Sequence, residues 1–235
     1  MKFQILKRNC KLVAFFGALF FMPRLSVAGN VIGSLPYVIT SSGNYQLQTN
    51  LTYAGQRNAI EVEAPNVVIN LNGFSITNTG NGVYGVLIQK RENLTVRNGT
   101  ISGFQTGVVL AGPQSRAVNL QLVKNVFGVQ VLASNSTVQD CFIIGTGTQQ
   151  TGNGIQVSAS ASGVLVKGNQ ASEFIVGIVT SGSGSGSSAF VGNYVANSTY
   201  GLAVGRNSFY QGTVVTNCTV PFTGGNAIGT ENGGD

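Results

Sequence analysis

Seven acidic side chains, thirteen basic ones and no histidine are all that the chain brings to acid–base chemistry. The acids are Glu61, Glu63, Glu92, Asp140, Glu173, Glu231 and Asp235, the last two in a polar end segment. Without His there is no Ser-His or Cys-His nucleophile and no imidazole metal site. Hydrolysis of a glycosidic bond needs two carboxylates flanking it, and calcium needs several oxygen ligands, mostly from Asp and Glu. Glu61 and Glu63 alternate on one strand, which puts them on one face about 7 Å apart. They are a candidate ligand-binding pair, weighed against an ordinary solvated strand face. No metal ligand set is expected.

The elements that must position these groups recur. Gly followed by alternating apolar residues appears at Gly85-Val86-Leu87-Ile88, and again from Gly107, Gly128, Gly154, Gly177 and Gly201. The steps are 22, 21, 26, 23 and 24 residues, and Ala59-Ile60-Glu61-Val62 is an earlier member. Each period holds a second short strand, such as Leu94-Thr95-Val96 or Val164-Leu165-Val166, closed by Asn, Asp or Gly. Those residues tolerate the left-handed backbone of a corner. No later stretch carries a sustained helical pattern. A period near 23 with three short strands describes one turn of a solenoid. One turn cannot offset its own ordering entropy, so neighbours must stack. The alternative, an antiparallel sandwich, does not explain why Gly-(Val/Ile/Leu) returns in one phase.

Stacking converts sequence periods into columns. The column through Glu61 continues as Leu87, Val109, Gln130, Gln156, Val179 and Ala203, with no further acid. Aligning Ile69 with Leu94 and Ile76 with Ile101 gives a second outward column: Asn72, Arg97, Gln121, Gln139, Lys167, Gly192 and Thr216. Asn72, Arg97, Gln121, Gln139, Lys167 and Thr216 are the candidate ligand-binding residues. Arg97 and Lys167 are the bases in that column and the candidate catalytic residues, though several turns apart.

Three stretches carry a family resemblance: Ala59-Ile60-Glu61-Val62, Asn66-Val67-Val68-Ile69-Asn70-Leu71-Asn72-Gly73, and Val96-Arg97-Asn98-Gly99-Thr100-Ile101. They resemble secreted bacterial right-handed parallel β-helix proteins of the pectate-lyase-like superfamily. The lead-in from Tyr37 to Tyr45 is similar to their N-terminal capping segment, and the likeness covers about residues 35–222. It implies an all-β, single-stranded parallel β-helix of about seven turns. The expected division is capping strands over 29–58, the helix over 59–222 and a loose polar tail over 223–235. The superfamily's enzymes are mostly polysaccharide lyases, hydrolases and epimerases, and their Asp-rich pairs and the epimerases' Asp-Pro-His-Glu motif have no counterpart here. The expectation is therefore a non-catalytic protein that presents a polar face to a carbohydrate polymer or cell-surface glycan. The alternatives are a lyase or epimerase acting on uronate polymers, for which alone calcium is implied, and a structural surface protein that self-associates through its last turn.

Residues 1–28 read as a secretory leader: a basic front, the apolar run Leu12 to Met22, and Ser26-Val27-Ala28 before Gly29. Lys2, Lys7, Arg8, Lys11 and Arg24 belong to it, so eight bases face seven acids afterwards, a net charge of +1. That leaves no basic stripe for nucleic acid. An exported, extracellular or cell-surface protein without a membrane span in its mature form is expected. Cys141 and Cys218 each follow a corner residue, Asp140 and Asn217. Placed in one column three turns apart, their sulfurs would stand about 15 Å from each other, too far for a disulfide. Asn93, Asn98 and Asn197 fit a glycosylation pattern, but corner-forming Asn ladders explain them better.

Overall fold

A computed structural model describes residues 29–147, 152–182, 186–229 and 232–234. The expected leader, Glu231 and Asp235 lie outside the described residues. The chain is all-β and winds as a parallel solenoid. A nine-stranded sheet forms the first face, its strands taken in chain order from Tyr37–Ile39 through Asn58–Val62, Tyr84–Ile88, Thr106–Leu110 and onward to Val220–Thr223. A 17-stranded sheet supplies the other two faces. Val67–Asn70 and Val164–Lys167 belong to the second face, Ser75–Asn78 and Gln170–Ser172 to the third. Leu94–Ser102 and Arg116–Val123 run through both. The described residues make eight full turns and a short ninth. No helix among them is long and apolar enough to cross a membrane.

The repeated glycine has a steric cause. A Cβ on Gly128 would stand 2.4 Å from the Gly154 carbonyl oxygen and 2.4 Å from Ile143 Cγ2. A Cβ on Gly154 would stand 2.4 Å from the Gly177 oxygen. The first-face strand starts where the chain presses on the next turn and on the third-face aliphatics, so only Gly fits. Behind each glycine, Val86, Val108, Val129, Ile155 and Ile178 stack in register and are fully buried. The third face faces them with Ile76, Ile101, Leu122, Ile143 and Ala171. One continuous aliphatic interior results, and each turn buries apolar surface only because its neighbours are present.

Corners are made by single residues in the left-handed region. Asn66, Asn93, Gln114 and Asn135 turn the chain from the first face to the second; Asn98, Asn119 and Asp140 turn it from the second to the third; Lys124, Glu173, Asn197 and Asn217 return it. Many corner amides bond to the turn before. Asn93 Nδ2 donates to Asn66 Oδ1 at 2.8 Å, Asn119 Nδ2 to Asn98 Oδ1 at 3.1 Å, and Asn217 Nδ2 to Asn197 Oδ1 at 2.7 Å. Asn93, Asn98 and Asn197 thus sit in corner ladders.

Both ends differ from expectation. The supposed capping strands Gly43–Gln46 and Leu51–Tyr53 pair in parallel with Val67–Asn70 and Ser75–Asn78. They are a regular turn, and among the described residues only Asn30–Val31 lies above them, paired with Gly43–Gln46. At the other end, Asn226–Ala227 and Gly233–Gly234 pair in parallel with Phe209–Gln211 and Val214–Thr216. The described tail is therefore a thin ninth turn, not a loose extension. Tyr210 and Phe222, stacked with centroids 5.3 Å apart, fill the interior beneath it.

Candidate functional site

On the first face the register through Glu61 is as the sequence suggests: Glu61 pairs with Leu87, then Val109, Gln130, Gln156, Val179 and Ala203. Glu61 is half-buried and accepts from Asn58 Nδ2 at 3.0 Å and from Gln89 Nε2. Glu63 lies just past the strand, exposed, and its backbone carbonyl accepts from Arg91 Nε at 2.6 Å. A shallow cleft of about 320 Å³ beside Glu61 is lined by Tyr37, Val38, Tyr53 and Arg57. Further down the face, Gln130 Nε2 donates to Gln156 Oε1 at 3.2 Å. Among the described residues no three His, Cys, Asp or Glu side chains gather as a metal would require.

The second outward column is only partly as expected. Arg97 stacks with Val118, Gln139 and Lys167, then Val191 and Gln211. Gln139 and Lys167 are adjacent, while Arg97 and Lys167 are three steps apart, about 14 Å. Asn72, Gln121 and Thr216 do not join them. The partner of Arg97 in the turn before is Asn70; Ile69 faces Val96, not Leu94. Asn72 sits at the corner with φ of 52°. The cause is a corner of unequal width. Four residues, 71–74, separate Asn70 from Ser75, whereas two, 98 and 99, separate their partners Arg97 and Thr100. A constant offset of 25 residues is therefore right after the corner and wrong by two before it. Gln121 and Thr216 belong to the third face, where Gln121 pairs with Thr100 and Phe142, and Thr216 with Ala196.

That third face carries what the sequence reading overlooked. In its outward column Gln121, Phe142, Gln170, Tyr194 and Val214 follow in register. Phe142 and Tyr194 are each 43% exposed. Tyr194 Oη and Thr216 Oγ1 share a hydrogen bond of 2.9 Å. The available signal was a fixed offset: Phe142, Gln170, Tyr194 and Val214 each stand two residues after a left-handed corner at Asp140, Gly168, Gly192 or Gly212.

The cysteines also need correction. Cys141 follows the second-to-third corner and Cys218 the third-to-first corner, so they do not share a column. Both are buried. Cys141 is 2% exposed, and burial pushes its thiol up from 9.0 to about 12. The native fold holds the neutral thiol, so its contribution to stability is intact below pH 9 and is lost as pH rises from 9 toward 12. Thiol titration at pH 8 should find Cys141 unreactive in the native protein and both Cys141 and Cys218 reactive after unfolding without reductant. Finding fewer than two thiols in the unfolded protein would contradict that expectation.

A family model described as "Right handed beta helix region" matches residues 84–235. Among solved structures the Dettilon tailspike protein (gp208) is similar, with a TM-score of 0.51 and 13% identity over 81% of this chain. The chain corresponds to 45% of that tailspike's length. No curated protein sequence matches.

Proposed function

Because the chain belongs to the right-handed β-helix family, we propose that it is an exported, non-catalytic member that binds a carbohydrate polymer along its outer surface. One observation carries this reading. Polar side chains stand outward on all three faces over many turns: Gln130 beside Gln156 on the first, Gln139 beside Lys167 on the second, and Gln121, Gln170 and Thr216 at intervals of two turns on the third. Adjacent turns stand about 4.8 Å apart, so these donors and acceptors are spread along the axis of the solenoid. That spread suits a polymer, and a small ligand would use only a fraction of it. The fold's occurrence in a tailspike protein is in keeping with a role outside the cell.

The residues suit binding better than catalysis. In the paired register no described acid stands opposite another, which favours binding over the two-carboxylate chemistry of a glycosidase. Glu61, the acid built into a strand face, is held by two amides and has Val38 and Leu87 for column neighbours. Arg97 has Asn70 and Val118 on either side, so no acid or second base stands beside it in its column.

Binding of the chain from residue 29 onward to an array of neutral and uronate glycans tests the proposal. Retention of at least one polymer is expected, with no unsaturated-uronate absorbance from pectate or alginate in the presence of calcium and no epimerisation by proton NMR. Turnover of either polymer would assign the lyase or epimerase alternative instead, and an array without any binding would end the glycan reading.

A further inference from the structure

We infer that the third face is the binding track, and that its ligand is an uncharged, extended polysaccharide of the β-(1→4)-linked kind; this rests on the glycan reading above. In four successive turns the outward column reads Phe142, Gln170, Tyr194, Val214. Beside it run Ile144, Ser172, the buried Ala196 and Thr216, also in register. None of these side chains is charged. Phe142 and Tyr194 stand half-exposed two turns apart, about 9.6 Å, with the Gln170 amide between them.

The spacing selects the linkage. One strand step is close to the length of one pyranose in an extended chain. In a β-(1→4) polymer each ring is flipped relative to the last, so every second ring presents the same face. Rings stacked on Phe142 and Tyr194 would then be alternate sugars, and the Gln170 amide would address the hydroxyls of the sugar between. The hydroxyl of Tyr194 is held by Thr216 at 2.9 Å, which fixes the ring, and the side chain stays 43% exposed. A helical or kinked polymer would bring its rings past the two aromatics out of step.

Charge selects against uronates. At the corners bordering the third face in these four turns the charged residues are both acids, Asp140 on one side and Glu173 on the other, and the base Lys124 stands at the corner of the turn before. The two acids repel a polyanion and leave a neutral chain untouched. Lys167, the base nearest in sequence, projects from the second face.

A second copy of this chain is the competing occupant, and size decides against it. Four turns span about 19 Å, and the two columns are about 7 Å apart. The face therefore covers a few hundred Å² at most, well short of the roughly 800 Å² per partner that a stable interface buries.

The experiment is calorimetric titration of the protein from residue 29 onward with cellohexaose, mannohexaose, laminarihexaose and hexagalacturonate. At least one neutral β-(1→4) hexaose should bind, laminarihexaose more weakly, and hexagalacturonate least. Tyr194→Ala and Phe142→Ala should each weaken binding about tenfold, with unchanged circular dichroism and melting temperature because both side chains are half-exposed. Gln170→Ala should weaken it less, and Arg116→Gln, at an exposed second-face position, should leave it unchanged. Three results overturn the track: preference for hexagalacturonate, glycan binding indifferent to Tyr194 and Phe142, or a dimer by light scattering that Phe142→Ala dissolves. Indifference to the aromatics with intact glycan binding leaves the general glycan reading standing, whereas no binding of any glycan removes both.

Discussion

Gly128→Val should unfold the middle of the solenoid or lower its stability by about 3 kcal/mol or more, at the upper end of what overpacking does. The added Cβ alone would sit 2.4 Å from the Gly154 carbonyl oxygen and 2.4 Å from Ile143 Cγ2. The methyl of Ile143 has some freedom. The carbonyl oxygen does not, because the parallel pairing of Phe127–Val131 with Asn153–Ser158 fixes the backbone that carries it. Moving it means moving a turn, and each turn's burial depends on the next. By contrast, Gly192→Asn should be nearly neutral: a Cβ there meets nothing within 4 Å, and its φ of 59° is one that Asn adopts at other corners. Urea denaturation of the two variants compares the effects directly. Equal midpoints would refute the steric account of the repeated glycine.

The second large effect concerns the buried asparagines at the second-to-third corner. Asn169 and Asn193 are 0% and 1% exposed and follow the left-handed Gly168 and Gly192. Asn169 Nδ2 donates to the Val138 carbonyl at 2.9 Å, and its Oδ1 accepts from the Cys141 backbone N–H at 3.0 Å. Asn193 repeats the pattern, donating to the Val166 carbonyl and accepting from the Asn169 backbone N–H. Each amide closes a gap in the ladder where the backbone turns away from its neighbour. Asn169→Leu keeps the branched four-atom side chain but strands a buried N–H and a buried carbonyl, at about 1–3 kcal/mol each. A loss of about 2–5 kcal/mol is expected, read as a shift of the denaturation midpoint. A companion readout is local: the Cys141 amide should lose hydrogen-exchange protection. An unchanged midpoint together with retained protection at Cys141 would show that the amide ladder is dispensable.

The architecture was legible because glycine and the following aliphatics recur in one phase, and that phase is set by a backbone clash at every turn. The corner chemistry was legible for the same kind of reason, since few residues besides Gly, Asn and Asp accept a left-handed backbone readily. The register across the second and third faces was not. In Leu94–Ser102 the chain passes a corner at Asn98 without a break in the strand, and the buried residues change parity from Leu94 and Val96 to Ile101. Asn98 marks the corner, but its type does not say which of the three corners it makes. The wide corner at 71–74 then displaced Asn72 from the column of Arg97 by two residues. Cys141 and Cys218 look alike in sequence, each a small residue after an Asn or Asp, yet they mark different corners of the triangle. The columns through Glu61 and Arg97 lie on the first and second faces, and the aromatic column of Phe142 and Tyr194 lies on the third, where no charged side chain marks it.

The uneven length of the repeats has an evolutionary reading. Because three single-residue bends suffice to close each coil, extra residues at a bend loop outward and leave the stack undisturbed, as they do at 71–74. Duplicating or deleting one whole coil alters only the height of the column. Such a molecule is a ruler graduated in steps of about 4.8 Å, and gene-level gain or loss of one unit would lengthen or shorten its reach by one graduation.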